Sequence, residues 1–175
     1  MFQSILLFTL LFVTLSTQIH VPLSSCKAQA GSPQWPSLHT WEQLNATLSG
    51  ALLQPLPPAS ACYSNVSNSD DGARCKQVTD LWYQSEFHSN DPVSVVYPNW
   101  QKDACLPPNL YNQLSSCDTK PFPNYVVNVS AVTHIVEAVK FALNNNVRLI
   151  VKGSGHDLLG RYGPTISFIF FSVPV

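Results

Sequence analysis

Apolar and polar positions alternate along this chain with two different periods. Behind Ser37, Leu38, Trp41, Leu44, Leu48 and Leu52 recur at helical spacing. They predict a helix capped near Ser37 that stops before Pro55-Leu56-Pro57-Pro58. Ala59 to Gly72, rich in Ser, Asn and Asp, reads as a loop. Ala73 to Gln84 predicts a second helix with Val78, Leu81 and Trp82 on one face. Phe87 to Pro123 is mostly loop, dense in Pro and Asn, and Gln18 to Pro36 has the composition of a linker. No internal repeat is apparent.

The pattern changes at Asn124. Tyr125 to Val129 predicts a strand, and Ser130 a helix N-cap. Val132, Ile135, Val136, Val139 and Leu143 then form an apolar stripe of helical period. Asn144-Asn145-Asn146 ends that helix, because Asn tolerates left-handed geometry. The apolar run Val147 to Lys152 predicts a buried strand. Strand, helix and strand in this span make a βαβ unit with a parallel pair. The loop Gly153-Ser154-Gly155-His156-Asp157-Leu158-Leu159-Gly160 leaves the C-terminal end of its second strand, where α/β sheets bind ligands.

The chain has 175 residues, enough for one ordinary domain, and its net charge of -1 gives no reason to expect nucleic acid as a partner. Charged residues make up 11%, against about 25% in an average soluble domain. Part of the deficit is the uncharged stretch Ile5 to Leu15, which has the length and apolarity of a signal-peptide core. Secretion is therefore expected, with no membrane attachment after removal of residues 1–25. The cleavage point stays open between a site near Ser16 or Ser25 and one after Ala30. Cutting after Ala30 leaves an even set of cysteines, and cutting earlier leaves Cys26 as the odd one. For the rest, the simplest pairing is Cys62 with Cys75 and Cys105 with Cys117, each closing a short loop. Sequons at Asn45, Asn65 and Asn128 agree with export.

The candidate chemistry sits in the glycine-rich loop. Glycine permits close backbone approach and positive φ, and successive N–H groups can cradle a phosphate. His156 can act there as ligand, base or nucleophile. The spacing of Gly153, Gly155 and Gly160 departs from the dinucleotide fingerprint G-x-G-x-x-G, which argues against an NAD site. A zinc site from His134, His156 and Asp157 lacks a ligand pair at helical spacing. Taken alone, the loop reads as a tight turn with a satisfied surface histidine, because short glycine-rich strings are common.

The wider text is more specific. Asn124 to Ser130, the amphipathic helix, the Asn cluster and Val147 to Arg161 together resemble the start of a PCMH-type FAD-binding domain of the vanillyl-alcohol oxidase superfamily. The branch they resemble is the secreted fungal oxidoreductases similar to berberine bridge enzyme and 6-hydroxynicotine oxidase. Trp35-Pro36-Ser37, Trp82 to His88, Asp91-Pro92 and Cys105 to Cys117 also look like that branch. The resemblance implies a covalent bond from His156 to the flavin of FAD. It also implies that Gly153, Ser154, Gly155, Asp157, Leu158 and Gly160 surround the pyrophosphate, with Lys152 next to the phosphates. It further implies oxidation of a small organic substrate with electrons passed to O2; the redox chemistry would be the cofactor's.

Several features depart from that branch. Ala28 and Gln34 stand where it carries further cysteines. The downstream cysteine of a second flavin link, the substrate domain and the catalytic base lie beyond this chain, so no catalytic residue is assigned. The expected organisation is an α+β fold: a helical, disulfide-containing segment over residues 26–118, then the start of the FAD-binding domain over 119–161. Residues 162–175 leave the family pattern and are expected to be a truncated end. The fragment is expected to be inactive alone. The alternative is a secreted glycoprotein fragment that holds no cofactor.

Overall fold

In the computed structural model the structure describes residues 26–66, 72–111, 115–159 and, for the backbone, 168–171. The leader stretch Ile5 to Leu15, together with Gly160 and Arg161, lies outside the described residues. No helix among those described is long and apolar enough to cross a membrane.

Helix α1 spans Leu38–Thr47, and Ser37 caps it as expected by accepting the Thr40 N–H at 3.2 Å. The helix ends earlier than the apolar spacing predicts. Ser49 and Gly50 both take positive φ, 53° and 87°, and the Gly50 N–H returns to the Asn45 carbonyl. Leu52 is therefore not on the helix; it opens the short strand β1, Leu52–Leu53. Its N–H donates to Asn45 Oδ1 at 3.1 Å, which fixes the turn. The second expected helix ends before Gln84, and another helix follows that the sequence pattern did not predict. Helix α2 covers Gly72–Leu81, and a separate short helix α3 covers Ser85–Asn90. At six residues α3 has too few apolar positions to show a period.

Strand β2, Tyr125–Asn128, leads into helix α4, Val132–Asn144, and strand β3, Leu149–Lys152. The cap of α4 is Ala131 rather than Ser130; His134 Nδ1 instead reaches back to the Ser130 N–H. β2 and β3 are parallel members of one sheet but are not neighbours. Strand β4, Phe168–Phe171, lies between them, parallel to both, giving the order β1-β2-β4-β3. The stretch read as a divergent end thus contributes the central strand.

Alternation along β2 divides the core. Val126 packs with Tyr63, Val78, Trp82, Val93, Val95, Leu106 and Phe122 on one face. Tyr125 and Val127 pack with Trp41, Leu44, Leu48, Ala138 and Ala142 on the other. The Trp41 and Tyr125 rings stack at 3.9 Å. The small residues Ala138 and Ala142 bring α4 close to the sheet. The stripe that identifies α4 faces outward: Val132 is 75% and Leu143 76% exposed, and Ile135, Val136 and Val139 are also exposed.

The first core is closed covalently. Disulfides join Cys62 to Cys75 and Cys105 to Cys117, as the short loop lengths suggest. Asn65 links the two loops, donating from Nδ2 to the Cys117 carbonyl at 3.0 Å and accepting from its N–H at 3.3 Å. Cys26 is free and exposed.

Candidate functional site

The parallel strands end level with one another. Asn128, Phe171 and Lys152 are in register, and the glycine loop begins one residue beyond Lys152. His156 is exposed at this edge. Asp157 is buried and turns the chain by accepting the Leu159 N–H at 3.3 Å on Oδ1. Leu158 and Leu159 project outward, 69% and 78% exposed. Gly153 is open on its Cα side, with nothing within 4 Å of a Cβ placed there. Gly155 is buried at φ +76°, and a Cβ there would meet Lys152 Cε at 3.2 Å and Nζ at 3.4 Å. Glycine is required at 155 on both counts.

Lys152 is only 1% exposed. It shares a face of β3 with Ile150, which packs on the first core, so period two sends its side chain under the loop. Its ammonium donates to the carbonyls of His88 at 3.2 Å, Ser89 at 3.1 Å and Gly153 at 3.4 Å. The first two belong to the last turn of α3, where helix carbonyls attract a cation. Burial pushes the Lys152 ammonium down from 10.5 to about 8, against the pull of nearby Asp91. Lys152 thus lies beneath the loop, on the carbonyls of α3 and of Gly153.

Two buried polar residues complete the support. His88 Nε2 faces the Trp82 carbonyl, which can only accept, so this nitrogen carries the proton. Nδ1 then accepts from the Ser94 hydroxyl at 2.6 Å. Burial holds His88 below the usual imidazole range, with the Trp82 carbonyl and Asp91 opposing. Asp91 accepts from the N–H groups of Val93 at 2.9 Å and Ser94 at 2.7 Å. Burial nonetheless raises its carboxyl above the ordinary value. Sequence reading missed this support. Its one trace in the sequence is that Trp82 to His88 and Asp91-Pro92 share in the family resemblance.

The loop suits an anionic, phosphate-bearing ligand. Ser154, Gly155 and His156 have N–H groups that donate to nothing among the described residues. Successive free N–H groups form an anion cradle at the sheet edge. His156 lies at the end of that cradle as an exposed imidazole. Among the described residues no group of three or more His, Cys, Asp or Glu could hold a metal ion, and His134 lies on α4 beside Ser130.

No family model matches the chain. It is 35% identical over 146 residues to the VAO-type flavoprotein oxidase VAO615 of Thermothelomyces thermophilus, covering 83% of this chain and 25% of that protein. It is 34% identical over 142 residues to the FAD-linked oxidoreductase orf1 of Neocamarosporium betae, covering 79% and 24%. The crystal structure of the VAO-type flavoprotein MtVAO615 from Myceliophthora thermophila C1 superposes with a TM-score of 0.75 at 33% identity, covering 83% of this chain and 26% of that one. The chain spans about a quarter of the length of these relatives. Over that quarter, it is homologous to the N-terminal part of the VAO-type, FAD-linked oxidoreductases.

Proposed function

We propose that this chain supplies the flavin-attachment part of a FAD-dependent oxidase. Its loop backbone from Gly153 to His156 would receive the FAD pyrophosphate, and His156 would carry the flavin covalently. The observation that supports this reading is the outward cradle of N–H groups ending on an exposed histidine at the carboxyl edge of the sheet. When bound, FAD would supply hydride acceptance from a small organic substrate and electron transfer to O2. The residues of this chain would bind and orient it. Attachment would form a bond from a His156 ring nitrogen to the flavin 8α carbon as that carbon gives up a proton and the flavin ring takes the electron pair, which O2 would then remove; correct placement of reacting groups can lower such a barrier by about 7–11 kcal/mol at best. Leu158 and Leu159 offer apolar contact beside the loop. The reading includes export with loss of the leader, which the two disulfides favour.

A ligand of this size is held when most of its surface is buried. The described residues offer a cradle and no cavity that encloses the ring. The chain alone is therefore expected to hold FAD weakly or not at all. Denaturing-gel flavin fluorescence tests this on two lengths. One is the 175-residue chain; the other is the Thermothelomyces oxidase with its matching quarter replaced by this chain. Flavin is expected on the long form only. A stoichiometric flavin on the short form would refute the incompleteness, and its absence from a folded long form would refute the FAD reading.

A further inference from the structure

We propose that Lys152 is a positioning residue: with Ser89 and Val96 it straps the Gly153–Gly155 carbonyls to the α3 side, turning the loop N–H groups and His156 outward. The inference rests on the FAD reading only for what the loop is turned toward.

Three donors take three successive loop carbonyls. Lys152 Nζ reaches the Gly153 oxygen at 3.4 Å, Ser89 Oγ the Ser154 oxygen at 3.0 Å, its one proton shared with the Ser85 carbonyl at 3.0 Å, and the Val96 N–H the Gly155 oxygen at 3.3 Å. Ser89 and Val96 belong to the segment that follows Trp82 and packs into the first core through Phe87, Val93 and Val95, and the Lys152 ammonium is tied to that segment by the His88 and Ser89 carbonyls. None of the peptide bonds among the described residues is cis. In a planar trans peptide the carbonyl of one residue and the N–H of the next point in opposite directions. Fixing the carbonyls of 153, 154 and 155 on one side therefore turns the N–H groups of Ser154, Gly155 and His156 to the other. Those are the N–H groups without an acceptor among the described residues. The ammonium under Gly155 closes the strap, because it joins the Gly153 carbonyl to those of His88 and Ser89. Preorganised donors of this kind bind without paying for reorganisation at the moment of contact.

Amide hydrogen exchange of the 175-residue chain, read by NMR without flavin, tests the strap independently of the FAD reading. The Val96 N–H reports directly on the Gly155 carbonyl. In Lys152→Met its exchange is expected to rise at least about tenfold, with Val127 and Ala142 amides unchanged, as befits local opening rather than global unfolding. Unchanged exchange at Val96 in that variant would overturn the proposal. Should Lys152→Met lose protection at Val127 as well, Ser89 decides. Ser89→Ala is expected to raise Val96 exchange about threefold, and Ser89→Thr, which keeps the hydroxyl, to restore it. Ser89→Ala indistinguishable from the parent, or Ser89→Thr indistinguishable from Ser89→Ala, would overturn it.

Discussion

At the scale of single residues, Gly155 and Lys152 constrain each other. Any side chain at 155 must adopt φ +76° and press on the Lys152 stem at 3.2 Å. The left-handed backbone alone costs a non-glycine residue about 1–2 kcal/mol. Gly155→Ala is therefore expected to lower unfolding free energy by at least about 1 kcal/mol, measured by urea titration. Gly153→Ala, with open space and no positive φ, should cost less. The buried ammonium also sets a pH dependence. Lys152 titrates at about 8 when folded and at about 10.5 when unfolded. Between those values the unfolded chain holds the extra proton, so stability rises with pH, at up to about 1 kcal/mol per unit. Above about 10 the trend reverses, because burial raises the phenols of Tyr63, Tyr111 and Tyr125 and their ionisation then favours unfolding. In a Cys26→Ser background, which prevents disulfide exchange, Lys152→Met should abolish the rise between about pH 8 and 10. A rise that survives the substitution would place its origin elsewhere.

At the scale of elements, what the sequence made legible was what local chemistry decides. The Ser37 cap, the strand from Tyr125, the two short disulfide loops and the glycine loop all follow from neighbours within a few residues. Elements decided by distant partners were not legible. Helix α3 is too short to show a period, and its place is set by Lys152, which donates to the His88 and Ser89 carbonyls from 64 and 63 residues along the chain. The β2 and β3 pair could be called parallel, but nothing local shows that Phe168–Phe171 enters between them. The stripe on α4 announced a helix without saying which face meets this chain. Its buried face is Ala138 and Ala142, while Leu143 stays 76% exposed. Leu143→Gln should thus change stability by less than about 0.5 kcal/mol. Ala142→Leu, which overfills the contact with Trp41 and Tyr125, should cost about 1–3 kcal/mol. Equal effects in thermal or urea unfolding would contradict the orientation of α4. Replacing both members of the Cys62–Cys75 pair by Ser should cost about 2–5 kcal/mol, since that bond ties α2 to the turn at Pro58–Cys62.

At the scale of the whole molecule, the described residues form a two-faced sheet whose carboxyl edge carries a prepared loop, beside a helix with an uncovered apolar face. This chain corresponds to about a quarter of the length of its VAO-type relatives. The central claim is that His156 is the point of flavin attachment. Trypsin cleaves after Lys152 and after Arg161, so His156 is isolated on the peptide Gly153–Arg161. Mass spectrometry of that peptide from the long form described above is the most direct measurement. The expected result is a flavin adduct whose fragmentation places the added mass on His156, absent from His156→Ala. An unmodified Gly153–Arg161 peptide, from protein whose flavin is bonded only to another residue, would contradict it.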